Sequence, residues 1–313
     1  MRLEKITFKL IAWLKIARLQ FYVMTWIAYS LGTAVAYRAG LEFDFSVYVL
    51  GYLLLFFIEF ATVLTNEYYD FESDRINQNI GPFNGGSRTL VEGVLSFREV
   101  KIAIFVSLTM IFITASLLLV FRGNASILSV TILAALGVIL GIGYTVPPLQ
   151  FSYHGLGEIV VGITHSAYVI LCGFVFQGGI WTETVVWALS IPLFFSTVAA
   201  ITLSGIPDCR ADRRAGKNTL SVVFGPRRAS IFSIACILLA AFSSLLLFFS
   251  GLLPEVFRFL NIIVIPHAIL TVFAIIRLIR GDNYEKTINP IMILSLMYIL
   301  WFGLIPFILL LVR

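Results

Sequence analysis

Charge is scarce in this chain. Only 12% of its 313 residues are Asp, Glu, Lys or Arg, about half the roughly 25% of an average soluble domain. Cysteine is scarcer still. Cys172, Cys209 and Cys236 show no metal-ligand or redox spacing, which excludes a disulfide framework and a thiolate zinc site. His154, His165 and His267 are equally scattered, so any metal here must be held by oxygen ligands. Apolar residues, by contrast, make up 59% of the chain and include 28 Phe, with a mean hydropathy of +0.97. A soluble fold of this length cannot hide so much apolar surface. Disorder and nucleic-acid binding are excluded with it, and an integral membrane protein remains. It is expected to be all-α, because lipid cannot satisfy an open strand's backbone groups. The net charge of +5 fits basic loops beside anionic lipid.

Apolar runs long enough to span a bilayer occur near 10–37, 46–69, 99–121, 126–144, 157–177, 185–205, 229–250, 258–279 and 288–312. About nine transmembrane helices in one domain over 1–313 are therefore expected. The first run follows a short basic segment, is interrupted by Lys15 and Arg18, and lacks a small-residue cleavage site. It reads as a retained span and not a signal peptide. With the N-terminus inside, one face receives Arg2, Lys5 and Lys9, then Arg75, Arg88, Arg98 and Lys101. It also receives Arg210, Arg213, Arg214, Lys217, Arg227, Arg228, Arg277, Arg280 and Lys286. The other face receives only Arg38, Arg122, Arg258 and Arg313. The positive-inside rule then predicts a multi-pass protein of the cell membrane, with its N-terminus and both long polar loops cytoplasmic.

Both of those loops begin with acids at helical spacing. Asn66, Asp70 and Asp74 stand at i, i+4 and i+8, one stripe of oxygen ligands, with Glu67 and Glu72 pointing elsewhere. Asp208 and Asp212 repeat the i, i+4 spacing. A carboxylate stripe is costly unless something positive sits against it. Mg²⁺ meets that need, taking one or two carboxylates plus phosphate oxygens. Two such stripes face to face can hold a diphosphate between ions, with nearby Arg and Lys on the remaining oxygens. Taken singly, either pair reads equally well as a solvated helix end. The recurrence on one membrane face favours a site.

The pattern N-x-x-x-D-x-x-x-D at 66–74 and D-x-x-x-D with G-K-x-T-L over 208–220 resemble those of the UbiA-type intramembrane prenyltransferases. The likeness runs from about Arg18 to about Gly225. Tyr144-Thr-Val-Pro-Pro-Leu, then Tyr153-His-Gly-Leu-Gly-Glu158, with Gly81-Pro82, is similar to the 1,4-dihydroxy-2-naphthoate prenyltransferases of menaquinone synthesis.

The resemblance implies nine helices around a central cavity and Mg²⁺-dependent transfer of a polyprenyl group from an allylic diphosphate to an aromatic acceptor. Asn66, Asp70 and Asp74 would hold one Mg²⁺, and Asp208 and Asp212 the other, the four aspartates being the catalytic set. Arg18, Arg88 and Lys217 are candidates for diphosphate contact. Tyr68, Tyr69, Tyr144 and Tyr153 are candidates to line the substrate or shield a carbocation. Gly81-Pro82 and Gly85-Gly86 break the loop after the second span, which is then either a cap over the site or a plain surface turn. Other acceptors with the same chemistry are 4-hydroxybenzoate, homogentisate or a glycerol lipid. A multi-span transporter is disfavoured, because the acids gather at one face and no hydropathy repeat stands out.

Overall fold

Long uncharged apolar runs become helices, and a computed structural model places them in a membrane bundle. It describes residues 2–281 and 284–312, with side chains over 7–281 and 288–312. Arg2, Lys5, Lys286 and Arg313 of the charge tally fall outside the described side chains. The helices are α1 (Arg2–Ala17), α2 (Tyr22–Arg38), α3 (Phe45–Tyr69), α4 (Phe71–Ile76), α5 (Phe97–Phe121), α6 (Ile127–Ile142) and α7 (Gly157–Ile163). They continue as α8 (Val169–Phe176), α9 (Thr184–Ser204), α10 (Cys209–Arg214), α11 (Leu220–Phe224), α12 (Pro226–Phe249), α13 (Pro254–Arg280) and α14 (Tyr284–Val312). Strands are absent among the described residues, apart from an isolated bridge between Gly81 and Asn84.

Among the described residues, seven helical spans are long and apolar enough to cross a membrane, and the bent pair α1–α2 makes an eighth. The nine expected runs map onto these eight and onto α6, which at 16 residues is short for a full crossing. The first run is not one straight helix. Arg18 takes a left-handed conformation (φ 50°), and the chain bends by 41° there. The fifth run is α7 and α8 joined through a π-helical turn at Thr164–Tyr168.

Local chemistry sets the helix ends. The Asp44 carboxylate accepts from the amides of Ser46 and Val47 at 2.8 and 3.1 Å and starts α3. Ser96 and Glu99 form a reciprocal capping box at the start of α5. Pro226 and Pro254 open α12 and α13, where a missing N–H costs nothing.

Burial sorts the bundle. The most apolar stretches of α7–α8 and α9 are 67% and 61% buried, against 22% for α5. The first two are thus interior and α5 faces lipid, with Phe105, Phe112 and Val120 exposed. The interior is tight where α2 meets α8. A Cβ on Gly32 would strike the Ile170 carbonyl, and one on Gly173 the Tyr29 carbonyl. Small residues are what let membrane helices approach this closely. At one end of the bundle α4 lies against α10, so the two acidic segments meet.

Candidate active site

Helical hydrogen bonding runs through both acidic motifs. The Asp70 amide donates to the Asn66 carbonyl at 2.8 Å, and that of Asp74 to Asp70 at 2.9 Å. The stripe therefore survives the junction between α3 and α4. The Asp212 amide likewise donates to the Asp208 carbonyl at 2.9 Å, placing Asp208 at the head of α10.

The motifs are bound to each other across well over a hundred residues of sequence. The Ser73 hydroxyl donates to Asp212 Oδ1 at 2.8 Å. Asn77 Nδ2 donates to Asp208 Oδ1 at 2.7 Å, and the Gly85 amide to Asp208 Oδ2 at 3.3 Å. Asn79 Nδ2 donates to the Pro207 carbonyl at 3.0 Å. Lys217 is buried between them, its Nζ 2.6 Å from Asp70 Oδ2 and 3.7 Å from Asp212 Oδ1. The Tyr153 hydroxyl donates to Asp70 Oδ1 at 2.9 Å, and its ring lies 5.3 Å from the Lys217 ammonium.

A second charged pair adjoins the first. Arg18 NH2 lies 2.5 Å from Glu67 Oε1. The Ser87 amide and hydroxyl donate to the two oxygens of Glu67 at 2.8 and 2.6 Å. Arg88 donates to the Asp74 carbonyl, while its buried Nε finds no partner among the described residues. Gly85 and Gly86 have φ of 77° and 69°, and a Cβ on Gly86 would collide with the Asp74 carboxylate. The loop after α4 therefore crosses directly over both acidic segments, and glycine is what lets it do so.

The electrostatics are lopsided. Burial, together with Glu67 and Asp70, pushes the Asp74 carboxyl up to about 7 in spite of Arg18 and Lys217. Burial and the neighbouring Asp212 push Asp208 up to about 6. Burial also raises Asp212, against the pull of Lys217. For Lys217 burial opposes the charge, but Asp70 and Asp212 outweigh it and its pKa is raised. Burial is the main cause of these raised carboxyls, and the cations present do not offset it. An all-oxygen, under-neutralised donor set fits a hard divalent ion such as Mg²⁺. No three carboxylate, imidazole or thiolate groups converge on one point among the described residues. In this arrangement Lys217 occupies the position between the motifs.

Most of the residues singled out by sequence are brought to this end: Asn66, Asp70, Asp74, Asp208, Asp212, Arg18, Arg88, Lys217 and Tyr153. Tyr144 lies within electrostatic reach of Lys217, Asp70 and Asp212. Burial raises the Tyr144 and Tyr153 phenols well above their ordinary range. Tyr68 is turned away. Its ring packs on Phe97 and beneath Lys101, because a position two residues from Asn66 lies on another helix face. The Tyr69 side chain is 41% exposed. Glu67, read as pointing elsewhere, is instead 3% exposed and partners Arg18. The signal was Arg18 itself, since a half-buried cation within a span calls for a carboxylate.

Comparison with known proteins agrees with this geometry. The chain is 26% identical over 303 residues to the 1,4-dihydroxy-2-naphthoate octaprenyltransferase of Escherichia coli (strain K12), covering 92% of this chain and 94% of that one. It is 30% identical over 248 residues to the UbiA prenyltransferase domain-containing protein 1 homolog of Drosophila melanogaster, covering 76% and 64%. The fold matches that of a UbiA homologue from Archaeoglobus fulgidus bound to GPP and Mg²⁺, with a TM-score of 0.59 at 21% identity, over 93% of this chain and 99% of that one. The profile of the UbiA prenyltransferase family matches residues 25–297, and the chain belongs to that family as a multi-pass membrane prenyltransferase.

Proposed function

We propose that this enzyme transfers a polyprenyl group from an allylic diphosphate to an aromatic acceptor, 1,4-dihydroxy-2-naphthoate, with Mg²⁺ as cofactor, at the cytoplasmic face of the cell membrane. The observation that carries the reading is the closure of the two aspartate motifs on each other through Ser73–Asp212, Asn77–Asp208 and the Lys217 bridge from Asp70 to Asp212. The naphthoate acceptor is supported by the name of the Escherichia coli relative. The metal and diphosphate are supported by the ligands of the Archaeoglobus homologue.

Asn66, Asp70 and Asp74 on one side and Asp208 and Asp212 on the other would hold the metal. When bound, Mg²⁺ supplies charge stabilisation to the departing diphosphate. Arg18, Arg88 and Lys217 add fixed positive charge around the same group. Lys217, held in the absence of substrate by Asp70 and Asp212, is free to exchange a carboxylate for a phosphate oxygen. The loop over 77–95, tied down on Asp208 and Glu67, keeps water from the allylic carbon. The Tyr153 ring, fixed by its bond to Asp70, presents an electron-rich face beside the site.

The test offers radiolabelled polyprenyl diphosphate to the purified protein with dihydroxynaphthoate, 4-hydroxybenzoate, homogentisate or a glycerol phosphate, with Mg²⁺ or with EDTA. Label is expected in the naphthoate product, only with metal. Label in another acceptor, or transfer indifferent to EDTA, would overturn the corresponding part of the proposal.

A further inference from the structure

An acidic side chain within a membrane span is costly and marks function by default. Glu59 stands in the middle of α3, seven residues before Asn66. That spacing puts it on the same helical stripe, about 10 Å deeper into the bundle at roughly 1.5 Å per residue. It plays no part in the aspartate cluster.

Two elements converge on it. The Thr25 hydroxyl of α2 donates to Glu59 Oε2 at 2.8 Å. His165, in the π-helical turn, directs Nε2 toward Glu59 Oε1 at 4.0 Å. Such turns are frequent at functional sites. His165 Nδ1 lies 3.1 Å from the Thr164 hydroxyl and 3.2 Å from the Val161 carbonyl; the carbonyl can only accept, which favours the hydrogen on Nδ1. A neutral imidazole then turns the Nε2 lone pair toward a carboxylate oxygen. Two acceptors 4.0 Å apart do not bond to each other. Both stand open to a hydroxyl donor.

The surroundings select the kind of hydroxyl. The side chains of Glu59 and His165 remain 14% and 30% exposed, so their neighbours do not seal them off. The Tyr22 hydroxyl, within electrostatic reach of Glu59 and Arg18, is buried without a partner among the described residues. The Tyr22 ring lies 5.0 Å from Phe56, which stacks on Phe60 at 6.2 Å. A group of hydrogen-bond acceptors beside aromatic rings suits a planar ring bearing a hydroxyl.

We infer that Glu59 is the hydrogen-bond acceptor and proton-accepting base for the hydroxyl of a phenolic acceptor, with Thr25 and His165 as its positioning residues. The inference rests on the aromatic-acceptor reading given above. As the ring carbon bonds to the allylic carbon, the C–O bond to diphosphate breaks and its electron pair leaves with the diphosphate. The hydroxyl proton passes to the Glu59 carboxylate, leaving a ring ketone. Loss of a proton or of CO₂ from the attacked carbon restores the aromatic ring, and Glu59 returns its proton to the oxygen.

The test measures transfer and binding separately in the full-length protein. Glu59→Gln keeps the size and the Thr25 contact but removes the base. Transfer to dihydroxynaphthoate is expected to fall about 100-fold or more, while the KM for prenyl diphosphate stays within about twofold of wild type. Thr25→Val is expected to raise the acceptor KM about tenfold. Equilibrium binding of labelled dihydroxynaphthoate should weaken in Glu59→Ala, with Mg²⁺-dependent prenyl diphosphate binding retained as proof of folding. Wild-type transfer in Glu59→Gln, or wild-type acceptor binding in Glu59→Ala, would overturn the inference. Acceptor binding that depends on Glu59 without any transfer would refute the proposed reaction and support the site.

Discussion

Removing the Lys217 ammonium is the sharpest perturbation of the aspartate cluster. The residue is 8% exposed and faces Asp70 and Asp212 at 2.6 and 3.7 Å. Lys217→Met keeps most of the buried stem and deletes the charge. Two buried carboxylates then oppose each other with nothing between them, a loss of about 3–5 kcal/mol. A divalent ion bound by the same carboxylates would restore about 2.7 kcal/mol at a hundredfold excess over its Kd. The variant should therefore unfold at a lower temperature than wild type in EDTA, and added Mg²⁺ should stabilise it more than it stabilises wild type. Thermal unfolding in detergent with and without Mg²⁺ reads both effects. Equal stability in EDTA would refute the bridging role of Lys217. A Mg²⁺ response no larger than wild type's would refute the claim that lysine and metal share one set of carboxylates.

Other expectations follow from named contacts. Asp70→Asn and Asp208→Asn should each abolish prenyl transfer while leaving membrane insertion intact, as checked by activity and membrane fractionation. Gly86→Ala should cost about 1–2 kcal/mol from the left-handed backbone alone and should also displace the Asp74 carboxylate, so unfolding temperature and activity should fall together. Gly173→Val places a branched side chain against the Tyr29 carbonyl, and size-exclusion chromatography should show loss of folded protein. Ser96→Ala removes the cap of α5 far from any chemistry, so it should cost about 1 kcal/mol of stability with KM unchanged.

The spans were legible because an uncharged apolar run has one stable form in lipid. The meeting of the acidic motifs was legible too, since matching i, i+4 carboxylates on one membrane face ask for a shared cation. The bend at Arg18 was not, because a left-handed arginine carries no turn signature. Lys217 reads from the sequence as a candidate for diphosphate contact, and its position between Asp70 and Asp212 follows from its burial and not from its place in the sequence. Tyr68 shows the opposite error. Nearness in sequence suggested the site, whereas 100° per residue turned its ring toward α5. Glu59 drew no notice within its apolar run. Only the packing of α2 and the π-helical turn around it makes it distinctive.

The account rests on two motifs acting as one site, and binding of geranyl diphosphate tests this without requiring any acceptor. Wild type should bind it in Mg²⁺ and lose it in EDTA, and Asp70→Asn and Asp208→Asn should each remove binding on their own. Full affinity in either variant, or binding insensitive to chelation, would contradict it.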